Sequence, residues 1–300
     1  SFIYSSFIKF LRTPISIEGN EYKIVNQIIK EHKTHTPNVL TVIGCNFIQC
    51  TNDKEEQDGH YRGGAIRFKN GGNGGNCTVY GSTFEECTAP NGDGGALFVC
   101  DQEDKTGYDS KHSLIAYFSS SYCCYSKCNA YAENGKNDVG YGPVMFVFAR
   151  QTNVYYSSSV KCPETGQSLG AQYDFYADTI RSSYINATSS KALYCSAMEY
   201  RNAASGHFTF QTFIDLEGGF MSSFTELKNP INVNMSYCNY VNDYIHELTE
   251  QKSSIIHVRS CPVYLYNFCF VNMNIQNRDS FAIVSYLDTS TQPYVQITDS

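Results

Sequence analysis

Apolar and polar residues alternate with a period of two along much of this chain, in short runs broken by glycine, asparagine and charged loops. That period predicts strands with one buried face. Two short patterns recur and alternate. The first is Gly63-Gly64-Ala65-Ile66-Arg67-Phe68, repeated as Gly94-Gly95-Ala96-Leu97-Phe98-Val99 and more loosely as Gly142-Pro143-Val144-Met145-Phe146. Weaker echoes follow at Ala192 to Cys195, Gly206 to Phe210, Ser254 to Val258 and Phe281 to Ser285. The second pattern places an aromatic residue three before a cysteine or small residue, as in Phe47-Ile48-Gln49-Cys50 and Phe84-Glu85-Glu86-Cys87. It returns as Tyr125 to Cys128, Tyr184 to Ala187 and Phe270 to Met273.

Starts aligned on the first pattern, at Gly64, Gly95, Gly142, Lys191, Gly206, Ser254 and Ser280, are unevenly spaced, so the strands repeat and the loops vary. That is how a solenoid reads. The expected fold is all-β: a single-domain right-handed parallel β-helix over residues 1–300, with irregular loops and little helix, expected to be a fragment of a longer chain because it opens on Ser1 and stops directly after a strand-like run. Ile66 and Phe68, Leu97 and Val99, and Val144 and Phe146 are expected to point inward. The glycines suit tight corners at positive φ. Phe47, Phe84 and Tyr125 should fill the interior beside a turn, with Cys50, Cys87 and Cys128 stacked at the following bend. Those thiols either form disulfides between neighbouring rungs or remain buried as small hydrophobes. Two segments have helical spacing, Asn20 to His32 and Asp243 to Lys252. Polar insertions at Asn52 to Arg62, Lys69 to Asn76, Asp101 to Lys111 and Glu133 to Gly140 read as surface loops.

With 42 % hydrophobic and 17 % charged residues, the chain is too apolar for disorder. A net charge of −7 without basic clusters argues against nucleic acid as partner. No apolar run approaches the ~20 residues of a membrane-spanning helix. Thirteen cysteines point to an oxidising, extracellular setting, and no paired C-x-x-C knuckles suggest zinc. Sequons at Asn76, Asn186 and Asn234 are compatible with a glycoprotein.

The alternation of Gly-Gly-Ala-Ile/Leu with Phe-x-x-Cys, strongest over residues 45–100, resembles the polymorphic outer-membrane protein (Pmp-like) repeat, in which G-G-A-[ILV] alternates with F-x-x-N. Cys50, Cys87 and Cys128 stand where that family carries Asn, as in the cysteine-bearing versions of protist surface β-helix proteins. The resemblance implies a pectin lyase-like parallel β-helix used in adhesion or surface display, secreted or at the cell surface, with no enzymatic activity.

Right-handed β-helices also include polysaccharide lyases and glycoside hydrolases, which need clustered carboxylates beside a Lys or Arg on one strand face. The sequence has no adjacent Asp-Asp. Its acidic residues gather in loops such as Asp53 to Glu56 and Asp101 to Asp104, leaving Asp174, Asp178 and Asp215 as strand candidates. Asp58-Gly59-His60 reads as a polar loop, and His32-x-x-His35 has no further metal ligand beside it. Asn70 to Asn76 resembles a calcium-binding glycine repeat without its Asp. No catalytic, cofactor-binding or metal-ligating residue is therefore assigned. The expected function is a non-catalytic adhesin or interaction module for a protein or glycan on a host, neighbouring cell or matrix. The alternative is a carbohydrate-active β-helix enzyme. Tyr155, Tyr156, Tyr173 and Tyr176 are candidate contact residues, or equally members of interior ladders.

Overall fold

The computed structural model describes residues 1–18, 21–24, 27–30, 37–52, 61–69, 74–100, 115–132, 140–165, 168–201, 205–225, 232–248, 253–259, 262–275, 281–286 and 295–298. Among these residues the chain is all-β, with no helix, and most strands join one 24-stranded sheet whose repeats pair parallel and in register. Three ladders run through it. One joins Ile15–Glu18, Ile66–Lys69, Leu97–Cys100, the start of Met145–Val160, the start of Tyr173–Thr188, Cys195–Arg201, Phe220–Thr225, Ser254–Arg259 and Phe281–Tyr286. A second joins Asn38–Ile43, Gly75–Tyr80 and Ala116–Ser121 to the middle of Met145–Val160, and continues to Val295–Thr298. The third joins Ser6–Ile8, Asn46–Ile48, Thr83–Glu85 and Cys124–Ser126 to residues 158–160. Met145–Val160 and Tyr173–Thr188 pass through all three, bending at residues with positive φ.

Register makes the core. Ile66, Leu97, Met145, Tyr173 and Met198 stack in one inward column, and Phe68, Val99, Val147, Phe175 and Tyr200 in the next. Each fully buried apolar side chain contributes about 1.5–3 kcal/mol. In the third ladder Phe7, Phe47, Phe84 and Tyr125 stack face to face at centroid spacings of 4.8, 4.8 and 5.0 Å, matching the separation of adjacent strands. The expected interior column is therefore present, and Phe270 belongs to its continuation through Phe213 and Tyr240. Tyr184 does not: Ala187 occupies the interior place, two rungs on from Tyr125.

The paired glycines have two different duties. Gly63, Gly94 and Gly142 have φ of 68°, 70° and 62°, where a side chain is strained. Gly64 and Gly95 instead permit a close approach, because a Cβ there would strike backbone atoms of Thr88 and Asn129 respectively.

Three expectations need correction. Glu21–Ile24 and Gln27–Lys30, within the segment given helical spacing, are strands of an antiparallel hairpin on Ile15–Glu18. Ile is stiff at χ1 and favours strand, and the edge of Ile15–Glu18 offers backbone partners. Likewise Tyr244–Ile245 is a short strand between Glu217–Gly218 and Asn274–Ile275, while 249–252 lie outside the described residues. Finally, Phe146 faces the other way. Leu97 pairs with Met145, so the third Gly-x-x unit aligns Gly142 with Gly94, one residue from the sequence alignment. Val144 is still in the main core, but Phe146 stacks on Phe98 outside it, in a satellite cluster with Phe148 and Tyr176. The echo at Gly206 to Phe210 also belongs to the second ladder rather than the first.

Candidate functional site

The densest group of ionisable side chains lies on the outward side of the first ladder. Asp174 pairs in register with Glu199, and Tyr176 with Arg201, so the period-two alternation puts all four on one face of adjacent rungs. The Arg201 guanidinium donates to Glu199 Oε2 at 2.7 Å, to Asp174 Oδ2 at 3.4 Å and to the Tyr176 hydroxyl. It also lies over the rings of Tyr141 and Tyr176, at 4.7 and 5.1 Å from their centroids.

A separate set of bonds holds Tyr141 there. Asp93 Oδ1 accepts from the backbone N–H groups of Gly140 and Tyr141 at 3.1 and 3.0 Å. Ser168 Oγ donates to the Gly140 carbonyl at 2.7 Å. Gly170 leaves room for the Tyr141 ring, which a Cβ would meet. Beneath this cover the Asp174 side chain is 0 % exposed. Burial pushes its carboxyl well above the usual range, with Glu199 and Asp93 adding to the rise and Arg201 opposing it. Burial also opposes the charge on Arg201, but the two carboxyls outweigh it and raise its pKa. Burial beside Glu199, with one guanidinium shared between them, thus favours the neutral form of the Asp174 carboxyl.

Further along the same column stand Ser223 and His257, joined at 3.2 Å from Oγ to Nδ1. Phe220 stacks on the imidazole at 4.4 Å, and burial, aided by Arg259, lowers the His257 pKa to about 4.

Of the strand carboxylates named from the sequence, only Asp174 enters this cluster. Asp178 is exposed, and Asp215 is exposed at a bend with φ 55°. Glu199 and Arg201 were invisible as partners because nothing but strand register brings them to Asp174. His32, His35, Asp58, His60 and residues 70–73 lie outside the described residues, as do most of the four polar insertions. Among the four candidate contact tyrosines, Tyr173 and Tyr176 are buried, Tyr155 is half-buried and Tyr156 is exposed.

Two other features face solvent. The first is an open groove of about 370 Å³ on the outer side of the second ladder, lined by Asn76, Thr78, Tyr117, Ser119 and Asn153 over the inward Cys77 and Phe118. It contains no Asp, Glu, Lys, Arg or His. The second is an exposed aromatic stack, Tyr122, Tyr156, Tyr184, Phe210 and Tyr237, with ring spacings of 4.8, 4.6, 4.9 and 4.8 Å. The faces of its inner rings are covered by one another and Tyr80 packs edge-on against Tyr122 at 5.3 Å, so it is mainly ring edges that meet solvent.

Among the described residues no three His, Cys, Asp or Glu side chains are placed to hold a metal ion, and no helix is long and apolar enough to cross a membrane. The chain matches no family model, no curated protein and no solved structure in the three comparisons made.

Proposed function

We propose that this chain is a non-catalytic interaction module of an extracellular or cell-surface protein, built as a right-handed parallel β-helix. The observation that carries the reading is a contrast in access. The ionisable cluster around Asp174 is mostly covered and internally bonded, with Asp174 itself fully buried, whereas the open groove displays amide, hydroxyl and phenol groups without charge. A neutral surface of this kind suits an uncharged, hydroxyl-rich ligand such as a glycan, with Tyr117 supplying an apolar face and Asn153 hydrogen bonds. The Gly-Gly-Ala and Phe-x-x-Cys alternation supports the same reading through its resemblance to surface-display repeats.

Binding to a panel of neutral and acidic glycans, and to cells, tests the proposal. Tyr117→Ala and Asn153→Ala are expected to abolish binding to a neutral glycan without changing the unfolding midpoint by more than a few degrees. Binding unaffected by both variants would place the ligand elsewhere.

One observation favours a second reading, a carbohydrate-active enzyme. Asp174 and Glu199 lie on adjacent rungs, and burial raises the pKa of the Asp174 carboxyl, the direction a general acid for glycoside chemistry needs. That chemistry would require the Tyr141 segment to uncover Asp174. New reducing ends or unsaturated products from pectin, alginate or glycosaminoglycan, lost in Asp174→Asn, would replace the first reading with this one.

A further inference from the structure

Over residues 44–190 the repeats bend through one construction: a residue with φ near 50–60°, then in most of them a residue whose thiol or hydroxyl donates to the carbonyl two positions back. At the first bend the donors are Cys45, Ser82, Cys123 and Ser157, with distances of 3.4, 3.1, 3.3 and 3.0 Å. At the second they are Cys50, Cys87, Cys128 and Cys162, then Ser190, at 3.7, 3.6, 3.6, 3.3 and 3.2 Å. The same side chains accept a backbone N–H from the neighbouring rung: Cys45 to Ser82 Oγ at 3.1 Å, Cys128 to Cys162 Sγ at 3.2 Å, and Cys162 to Ser190 Oγ at 2.9 Å. Serine therefore makes every bond the bend needs, and sulfur is not required by the turn.

The two columns nevertheless use sulfur differently. At the first bend cysteine and serine alternate, so no two thiols are neighbours. At the second, four thiols are consecutive, all buried and all free. We propose that the column Cys50, Cys87, Cys128, Cys162 is a disulfide site, closing Cys50 to Cys87 and Cys128 to Cys162. Adjacent rungs are about 4.8 Å apart, inside the ~4.4–6.8 Å window for Cα atoms of a disulfide. In the reduced column the Sγ atoms of Cys50, Cys87 and Cys128 share one orientation, donating across to the carbonyls of Phe7, Phe47 and Phe84 at 3.4, 3.6 and 3.5 Å, so closing each bond requires a thiol to give up that contact and turn towards its neighbour. Pairing from the ends uses all four thiols, whereas a central Cys87 to Cys128 bond would strand two.

The ionisation of the column divides the same way. A hydrogen bond from Cys87 lowers the pKa of Cys50, while burial raises Cys87. Burial acts against ionisation of Cys128, but hydrogen bonds from Cys162 and Cys87 overcome it and lower its pKa, while burial raises Cys162. Each proposed pair thus contains one thiol whose anion the stacked column supports better than its partner's. The oxidant is a disulfide such as oxidised glutathione. A thiolate attacks it and releases one glutathione thiol, and the second cysteine then displaces the other. Two protein thiols thereby lose two protons and two electrons, and one disulfide becomes two thiols. Because the column is buried, exchange occurs while the rungs are apart during folding.

The test is to refold the reduced full chain in a glutathione redox buffer, trap free thiols with an alkylating reagent and map peptides by mass spectrometry. A second sample, secreted through an oxidising compartment, is mapped in the same way. Cys50 to Cys87 and Cys128 to Cys162 linkages are expected, with no Cys45 to Cys123 linkage and the loss of four alkylatable thiols. Cys87→Ser should keep the bend and the Cys128 to Cys162 bond but leave Cys50 alkylated. Alkylation of all four in both folded samples, or a dominant Cys87 to Cys128 bond, would overturn the proposal. Either result leaves the surface-binding reading standing, because the thiol map does not involve the groove.

Discussion

Two aromatic columns run along this protein at the same spacing in opposite environments. Phe7, Phe47, Phe84 and Tyr125 stack inside at 4.8–5.0 Å and are buried, while Tyr122, Tyr156, Tyr184, Phe210 and Tyr237 stack outside at 4.6–4.9 Å and are each two-fifths to one-half exposed. The rung height sets both spacings. Stacking is thus a consequence of the repeat and does not by itself mark a core. The outer residues all have φ between 49° and 58°, in the left-handed region, which costs a residue with a Cβ about 1–2 kcal/mol. A stacked pair contributes about 0.5–1.5 kcal/mol, so the outer column nearly balances its own strain. The preceding rungs carry Gly44 and Gly81 at the same bend, at φ 59° and 57°, relieving the strain and forgoing the ring.

Substitutions break or sharpen this contrast. The largest effect belongs to the inner column: Phe84→Ala should lower unfolding free energy by about 3–5 kcal/mol, read by denaturant titration. Next comes the sealed cluster, where Arg201→Ala leaves the carboxyls of Asp174 and Glu199 without their cation and should cost about 3 kcal/mol. Asp174→Asn, in contrast, should cost less than about 1 kcal/mol, because burial already disfavours the charged carboxyl and an amide of similar shape carries no charge. At the outer column Tyr184→Ala should cost about 1 kcal/mol, and Tyr184→Gly close to nothing, since relief of strain offsets the lost stack.

The contrast also has a pH dependence. Asp174 keeps its proton in the fold above the pH at which the unfolded chain loses it, and Asp243, pushed by burial to about 8, does the same. Both make stability fall as pH rises from about 4 towards 8. His257, held neutral down to about pH 4, acts in the other direction: stability falls as pH drops from about 6.5 towards 4. Asp174→Asn should flatten the first slope and His257→Gln the second, in unfolding curves recorded across that range.

Much of the strand architecture was legible because inward residues repeat on a period of two and the Phe-x-x-Cys unit recurs with one phase. Phe47, Phe84, Tyr125 and their cysteines stack as that phase requires. Cys162 was missed because its rung places Ser159, a polar residue, where the aromatic should stand; Ser159 Oγ donates to Gln172 Oε1 at 2.6 Å inside the core. Phe146 was assigned to the wrong face because Pro143 replaces the second glycine and shifts the apparent start by one, and one residue inverts a strand's faces. The Asp174 cluster was hidden for a different reason. Tyr176 and Asp174 are 25 and 27 residues from Arg201, on rungs whose loop lengths vary, so register alone joins them.

Everything rests on neighbouring repeats being paired in register, and a double-mutant cycle tests that directly. Phe84 and Tyr125, distant in sequence, stack on adjacent rungs, whereas Phe47 and Tyr125 are separated by Phe84. Unfolding free energies for the single and double alanine variants should show a coupling of about 0.5–1.5 kcal/mol for Phe84 with Tyr125 and markedly less for Phe47 with Tyr125. Additive effects for the first pair, or equal coupling for both, would contradict the stacked register.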